Sequence, residues 1–415
     1  MTDKITRENI GAPNAPFYTP IQNPPPGTFV KTTQSNGVIA NIPSLFTPLK
    51  LRGITLPNRI AVSPMCTFSA QDGALTDWHL VHLGQFALRG AGLIMVEATA
   101  VAPEGRLSPN DSGLWNDEQI APLKRIVDFV HSQGVKIGIQ LAHGGRKAST
   151  IAPFINVKAL GNNVKYSQLL PEEFGGWPND VIGPSPIPWD DEHANPKELT
   201  IEQIHEIQEY FVAAAKRAEK AGFDIVELHY AHGYLAHEFF SPISNKRTDQ
   251  YGGSFENRVR FGLEITKKVR EIWSEDKPLF VRISATDWVD DEDSWEIKQS
   301  VELSKLFQAL GVDLIDVSTG GNIPKQSLAI KDHFQVPFAE VIKKNVDINV
   351  ATVGLIKDPK LANGIVENGQ ADLVFLARSF LADGNWAIRA AKELGVIIQT
   401  PVQYHYAISE FSLNS

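Results

Sequence analysis

The chain has 415 residues, 43% of them hydrophobic and 21% charged, so it carries enough apolar material for a large folded core. Its 39 Lys and Arg against 48 Asp and Glu give a formal charge of −9 with no offsetting basic run, which argues against nucleic acid as a partner. No stretch reaches ~18 consecutive apolar residues, so no membrane-spanning helix is expected, and a single cysteine, Cys66, excludes an internal disulfide, a four-cysteine zinc site and an iron–sulfur cluster.

Residues 1–43 are polar and rich in Pro, Asn and Thr. The run Pro24-Pro25-Pro26-Gly27 can be neither helix nor central strand, so an extended arm wrapping the body is expected, with disorder as the alternative. The amino terminus lacks the apolar core of a signal peptide, and with the lone thiol this points to a cytoplasmic protein. From Asn58 onward, eight short apolar, β-branched runs alternate with longer amphipathic segments: 58–64, 91–101, 136–145, 223–233, 279–285, 312–321, 348–354 and 371–380. Such near-continuous apolar runs suit parallel strands buried on both faces. Helical periodicity covers 118–133, 201–221, 256–273 and 295–310. Gly134, Gly222, Gly311 and Gly369 stand just before strands, where a helix-terminating glycine belongs. Eight β-α units predict an α/β fold closed as a (β/α)8 TIM barrel over residues 44–405, with a tail at 406–415; an open doubly wound sheet is the alternative. The spacing breaks once, after strand 3, where residues 146–199 form a long irregular excursion. In a barrel it leaves the C-terminal face and reads as a lid or substrate wall.

Polar residues gather where strands should end. They are Ser63-Pro64-Met65-Cys66, Glu97-Ala98, Gln140 and His143, His229 with His232 and Tyr234, Arg282, Ser318 with Gly320-Gly321, Gly354, and Ala377-Arg378. On the barrel hypothesis they converge on one mouth. Loops after strands 7 and 8 commonly bind phosphate; Gly354 permits close approach and Arg378 supplies a charged fork. No GxGxxG follows an early strand, so a mononucleotide across the mouth fits better than a Rossmann dinucleotide site. His229 and His232 are compatible with a metal, with a structural pair, or with paired donors to a substrate oxygen. Along a strand, i and i+3 point to opposite faces and no third ligand is legible, so the donor reading is preferred and no metal is expected. Tyr234 is equally compatible with a core position.

The segments NRIAVSPMCTFS, IQLAHGGRKAS, ELHYAHGYLAHEFFSPISNKRTDQYGGSFENRVRF and PVQY resemble the Old Yellow Enzyme family of FMN-dependent ene-reductases, most closely its thermophilic-like branch with Cys after Ser-Pro-Met. The resemblance spans roughly 44–405. It implies a TIM barrel with FMN at the C-terminal mouth, reduced by NADPH or NADH and reoxidised by an electron-poor alkene in the same pocket. It further implies that Ser63, Pro64 and Met65 contact the isoalloxazine and ribityl chain, and that Cys66 sits near flavin N5. Ala98 and Gln140 would bind the pyrimidine edge, Arg282 the N1/O2 charge, and Gly354, Ala377 and Arg378 the phosphate. His229 and His232 would hold the substrate oxygen, and Tyr234 would donate the proton. Three positions depart from the branch. Phe68, a substrate-contacting position, replaces a frequent Tyr. Ala377 replaces a Gly. Tyr406 stands where an Arg often reaches a neighbouring subunit's site. A homodimer or larger assembly is expected from the outer helices and tail. Related forms with an iron–sulfur cluster are excluded by the single cysteine; a non-catalytic FMN- or ligand-binding barrel is the remaining alternative.

Overall fold

A computed structural model describes residues 11–12, 15–32, 41–155, 168–290, 293–324, 326–327 and 330–408. Expectations for the rest of the arm, for 156–167 of the excursion and for the end of the tail lie outside these residues.

Eight parallel strands close into a barrel: β1 (Ile60–Val62), β2 (Leu93–Ala100), β3 (Lys136–Ala142), β4 (Ile225–Tyr230), β5 (Leu279–Ser284), β6 (Leu314–Ser318), β7 (Asn349–Thr352) and β8 (Leu373–Leu376). Closure is made by β8 on β1, with Phe375 opposite Ala61. The helices between them are α1 (Asp77–Ala87), α2 (Ile120–Ser132), α3 (Ile201–Ala221), α4 (Phe255–Ile272), α5 (Ile297–Ala309), α6 (Val336–Asn345), α7 (Pro359–Glu367) and α8 (Trp386–Glu393). The fold is a (β/α)8 TIM barrel.

The strands are shorter than their apolar runs, because the polar residues at the ends of those runs already belong to loops. Residues 378–380, read as strand, instead begin a short helix, Arg378–Ala382. Helix limits follow local chemistry. Thr200 and Gln203 cap α3 reciprocally, Thr200 Oγ1 accepting from the Gln203 N–H at 3.2 Å and Gln203 Oε1 from the Thr200 N–H at 2.9 Å. Gly222 ends α3 at φ 94°. Between those caps Ile204, Ile207, Phe211, Ala215 and Ala218 recur at helical spacing and bury one face against the strands.

Alternate strand residues face the barrel interior and sort into layers. Ile225, Phe280 and Leu314 form an apolar lower layer, joined by Leu49, Leu51, Ile54 and Leu56. Those four come from a hairpin, Leu49–Leu51 with Ile54–Leu56, that plugs the N-terminal end. Two residues further along the strands the same faces carry Glu227, Arg282 and Asp316, with Gln140 opposite Glu227. Two further still stand His229, Ser284 and Ser318. The period-2 alternation thus changes from apolar to charged within one step along the barrel.

The described arm crosses the plugged end. Gly27 (φ 86°) packs so closely on Gly90 that a Cβ would lie 2.3 Å from its carbonyl oxygen. Asn58 Nδ2 donates to both the Gly27 and Gly90 oxygens at 3.0 Å. Phe29–Thr32 then pairs antiparallel with Val396–Ile398. Gln22 Oε1 accepts from the Val402 N–H, which brings the 402–404 turn to the same end, while Tyr406 is 86% exposed.

Candidate active site

The opposite end is open and polar. Strand β4 stops at Tyr230, and His232 adopts φ 62° with Gly233 at φ 69°. This left-handed turn overrides strand alternation, which would have separated His229 from His232. Their rings instead lie edge to face with centroids 5.0 Å apart. Tyr234 packs edge-on to His229 at 5.0 Å and lies 6.3 Å from His232. The turn is held from outside. Ser284 Oγ accepts from the His232 N–H at 2.8 Å, and His237 Nδ1 from the Gly233 N–H at 2.9 Å.

Burial, reinforced for His229 by His232 and for both by Arg282, holds the two imidazoles well below their usual range, so the rings are neutral. His229 Nδ1 accepts from the Ala231 N–H at 3.4 Å, which leaves the ring hydrogen on Nε2. His232 differs. Its Nε2 is 2.7 Å from Ser318 Oγ, and Ser318 in turn donates to Gln335 Oε1 at 3.1 Å. Ser318 therefore accepts the His232 N–H, so only His229 presents an uncommitted donor. Burial also raises the Tyr234 phenol, which stays protonated. The Lys147 ammonium lies over the Trp189 and Tyr234 rings at 4.6 and 5.5 Å, and burial lowers it to about 7.

Below the rings, Arg282 Nη2 donates to Ser63 Oγ at 3.1 Å, and Gln140 Nε2 donates to Glu227 Oε1 at 2.7 Å. Ser63, Pro64, Arg282, Ser318, Gly354, Ala377 and Arg378 line a cavity of about 530 Å³ between the loops after β1, β7 and β8. That volume falls within the ~300–1,000 Å³ of small-molecule pockets. Gly354 sits at φ 115°, and a Cβ there would meet Gln335 Nε2 at 2.7 Å. Met65, Cys66 and Phe68 follow Pro64 on the loop after β1, with Phe68 at φ 51°. Ala98 pairs with Gln140 just past a register shift in β2. The structure thus brings Ser63, Pro64, His232, Arg282, Ser318, Gly354, Ala377 and Arg378 around one cavity, with His229 and Tyr234 packed beside His232. The excursion reaches across it: Phe154 meets Phe68 edge-on at 6.1 Å, and Trp189 Nε1 donates to the Gly321 oxygen at 3.0 Å.

A sequence profile of the NADH:flavin oxidoreductase / NADH oxidase family matches residues 44–396. The chain is 46% identical over 413 residues to the NADH:flavin oxidoreductase FG08077 of Gibberella zeae, covering 96% of this chain and 95% of that protein. It is 43% identical over 362 residues to an NADPH dehydrogenase of Bacillus subtilis, covering 87% and 98%. Morphinone reductase superposes with a TM-score of 0.69 at 26% identity, over 86% of this chain and 91% of that one.

The chain belongs to the Old Yellow Enzyme family.

It is an oxidoreductase that uses FMN and a nicotinamide reductant. The residues present suit the cofactor. The cavity admits backbone at Gly354 where no side chain fits, offers the exposed Arg378 guanidinium to a phosphate, and buries Arg282 where a delocalised anion would gain most. Among the described residues no group of three or more His, Cys, Asp or Glu could hold a metal, and no helix is long and apolar enough to cross a membrane.

Glu97 stood among the strand-end polar residues of the sequence without a task, and its partners Thr67 and His79 were not singled out there. Glu97 accepts from the Thr67 N–H at 3.1 Å and the Thr67 hydroxyl at 2.8 Å, while His79 Nε2 lies 3.6 Å away. Together they anchor the loop that carries Cys66. Burial pushes Glu97 up to about 7 and lowers His79 to about 4. Burial, with Asp111 and Glu97 nearby, also raises the Cys66 thiol well above its usual range, so it is no thiolate. Glu227, Asp316 and Gln335 were likewise hidden. The two acids sit inside apolar runs, and Gln335 lies 17 residues after its partner Ser318.

Proposed function

We propose that this Old Yellow Enzyme family member is an ene-reductase: hydride from NAD(P)H reaches the β-carbon of an activated alkene and a proton is added at the α-carbon. Enals, enones, maleimides and nitroalkenes are the substrate classes. The observation that carries this reading is the His229–His232–Tyr234 cluster, neutral N–H and O–H donors packed ring against ring at the mouth. Bound FMN supplies the hydride chemistry that no side chain here can.

The side chains then have separable tasks. Hydride addition builds negative charge on the carbonyl or nitro oxygen, and the His229 Nε2–H is a preorganised donor to it. His232 becomes the second donor by exchanging Ser318 for that oxygen. The Tyr234 phenol gives its proton to the α-carbon. Gln140 and Ala98 would hold the cofactor's pyrimidine edge, and Arg282 would favour negative charge there. Gly354, Ala377 and Arg378 would hold its phosphate. Ser63, Pro64 and Met65 would contact the ring system and ribityl chain, and the Cys66 thiol would tune it. Phe68 and Phe154 offer the substrate an apolar edge with no hydrogen bond. The same reading expects a homodimer or larger assembly.

Tyr234→Phe tests it. Stopped-flow absorbance should find NAD(P)H-driven flavin bleaching close to wild type and reoxidation by cyclohexenone slowed, because only the second step needs the phenolic proton. Equal slowing of both steps would make Tyr234 a positioning residue. A flavin that no enone reoxidises would remove the ene-reductase reading.

A further inference from the structure

Two acids beneath the mouth have no task in the reaction above. Glu227 and Asp316 are both 0% exposed, on strands β4 and β6. Each touches a residue assigned to the cofactor: Gln140 Nε2 donates to Glu227 Oε1 at 2.7 Å, and Arg282 Nε lies 2.7 Å from Asp316 Oδ2. The groups facing them are few. Arg282 comes from β5 and the uncharged Gln140 from β3. His229, two residues above Glu227 on β4, is neutral, and the layer below is apolar.

Counting charge gives the difficulty. One guanidinium against two carboxylates leaves a net negative charge sealed inside the barrel, which burial penalises heavily. Counting donors gives the same difficulty. Glu227 Oε2 and Asp316 Oδ1 have no N–H or neutral hydroxyl donor, and Asp316 Oδ2 has only the Arg282 guanidinium. The two side chains do touch each other as a hydrogen-bonded pair. A carboxylic O–H is the donor that resolves both counts without any further residue.

We propose that Glu227 and Asp316 share one proton across the barrel, making the Arg282–Glu227–Asp316 set neutral, and that they act as positioning residues which hold Gln140 and Arg282 toward the flavin. The pairing resembles other close buried carboxyl dyads, in which like charges cannot both ionise. In agreement, burial and the charge of Asp316 push Glu227 up to about 8, and burial also raises Asp316. Release of the shared proton in mildly alkaline solution turns the set negative. That charge opposes an electron-rich cofactor just above it, so the flavin potential falls more steeply with pH from that point. The inference rests on the assignment of Gln140 and Arg282 to FMN.

Two measurements on the holoenzyme test it. The first is the infrared carboxylic C=O band and its shift in D2O at neutral pH. Glu97 and Glu238 are also buried acids, so the signal is read as wild type minus variant. The band should lose one carboxylic component in Glu227→Gln, and again one in Asp316→Asn. No loss in either variant overturns the shared proton. The second is the flavin midpoint potential against pH. Wild type should show an added downward break on the alkaline side, absent in Glu227→Gln. A wild-type curve without that break overturns the coupling, and it can be read even if a variant fails to fold. Arg282→Met separates the underlying assignment. If FMN affinity and potential are unchanged there while the infrared component is present, the cofactor assignment fails and the shared proton stands.

Discussion

The two ends of this barrel are built from the same eight strands yet obey opposite rules. At the N-terminal end, the hairpin Leu49–Leu56 and the inward Ile225, Phe280 and Leu314 form a dry apolar plug, and the arm is strapped across it by Asn58. At the C-terminal end, the inward positions are Glu227, Arg282, Asp316 and His229, all at most 3% exposed. Among the described residues, the buried polar atoms without a hydrogen-bond partner all belong to residues from the middle of the strands upward. His232, Phe68 and Leu355 at that end are also non-glycine residues with left-handed backbone, and at the plugged end Arg52 in the hairpin turn is another. One end therefore contributes stability. The other holds unsatisfied polar groups and backbone strain, features that concentrate at functional sites and must be offset elsewhere in the fold.

Substitutions at each end should separate these roles. Leu56→Ala at the plug should cost about 2–5 kcal/mol of stability by leaving a cavity. Urea unfolding should register that loss, with the kcat of the folded enzyme near wild type. A large fall in kcat would mean that the plug also shapes the mouth. His229→Ala should do the reverse. Removing one preorganised donor lowers the rate of flavin reoxidation by on the order of 10²–10³, while the urea midpoint should move far less than for Leu56→Ala. If stability collapsed instead, His229 would be a core residue like Tyr230.

Smaller effects sharpen the contrast. Cys66→Ala should shift the flavin potential and change rates modestly while turnover persists, because a neutral thiol tunes but need not react; abolished turnover with flavin retained would give it a chemical role. The pH dependence of stability should also come from the mouth. His143 lies at the end of β3, and burial lowers it to about 4. Its contribution is present above the ordinary value of 6.5 and is lost as pH falls through 4. Glu238 behaves oppositely: burial raises it to about 8, so its contribution is complete below 4.5 and is lost as pH rises through 8. The melting temperature should thus fall on both sides of a maximum, and Glu238→Gln should flatten the alkaline limb. An unchanged alkaline limb would exclude Glu238 as its source.

Much of this could be read along the chain. Eight β-branched runs and the glycines at 134, 222, 311 and 369 depend on local geometry, and local geometry is written in neighbouring residues. The convergence of Ser63, Gln140, His229, Arg282, Gly354 and Arg378 also followed once the barrel was recognised, since parallel strands bring all their C-terminal ends to one side. Other features required the closed barrel. Strand periodicity separates His229 from His232; a left-handed turn held by Ser284 and His237 reunites them. Which donor stays uncommitted depends on Ser318, 86 residues from His232. Glu227 and Asp316 looked like single acids in apolar strands; register sets Asp316 opposite Arg282, and only closure of the barrel brings Glu227, opposite Phe280 and Gln140, to the same pair. The sequence by itself determined which residues form strands, helices and caps, because those preferences act within a few residues. The tertiary structure alone decided which charges meet and which stay protonated, because burial and pairing arise only when distant strands close around them.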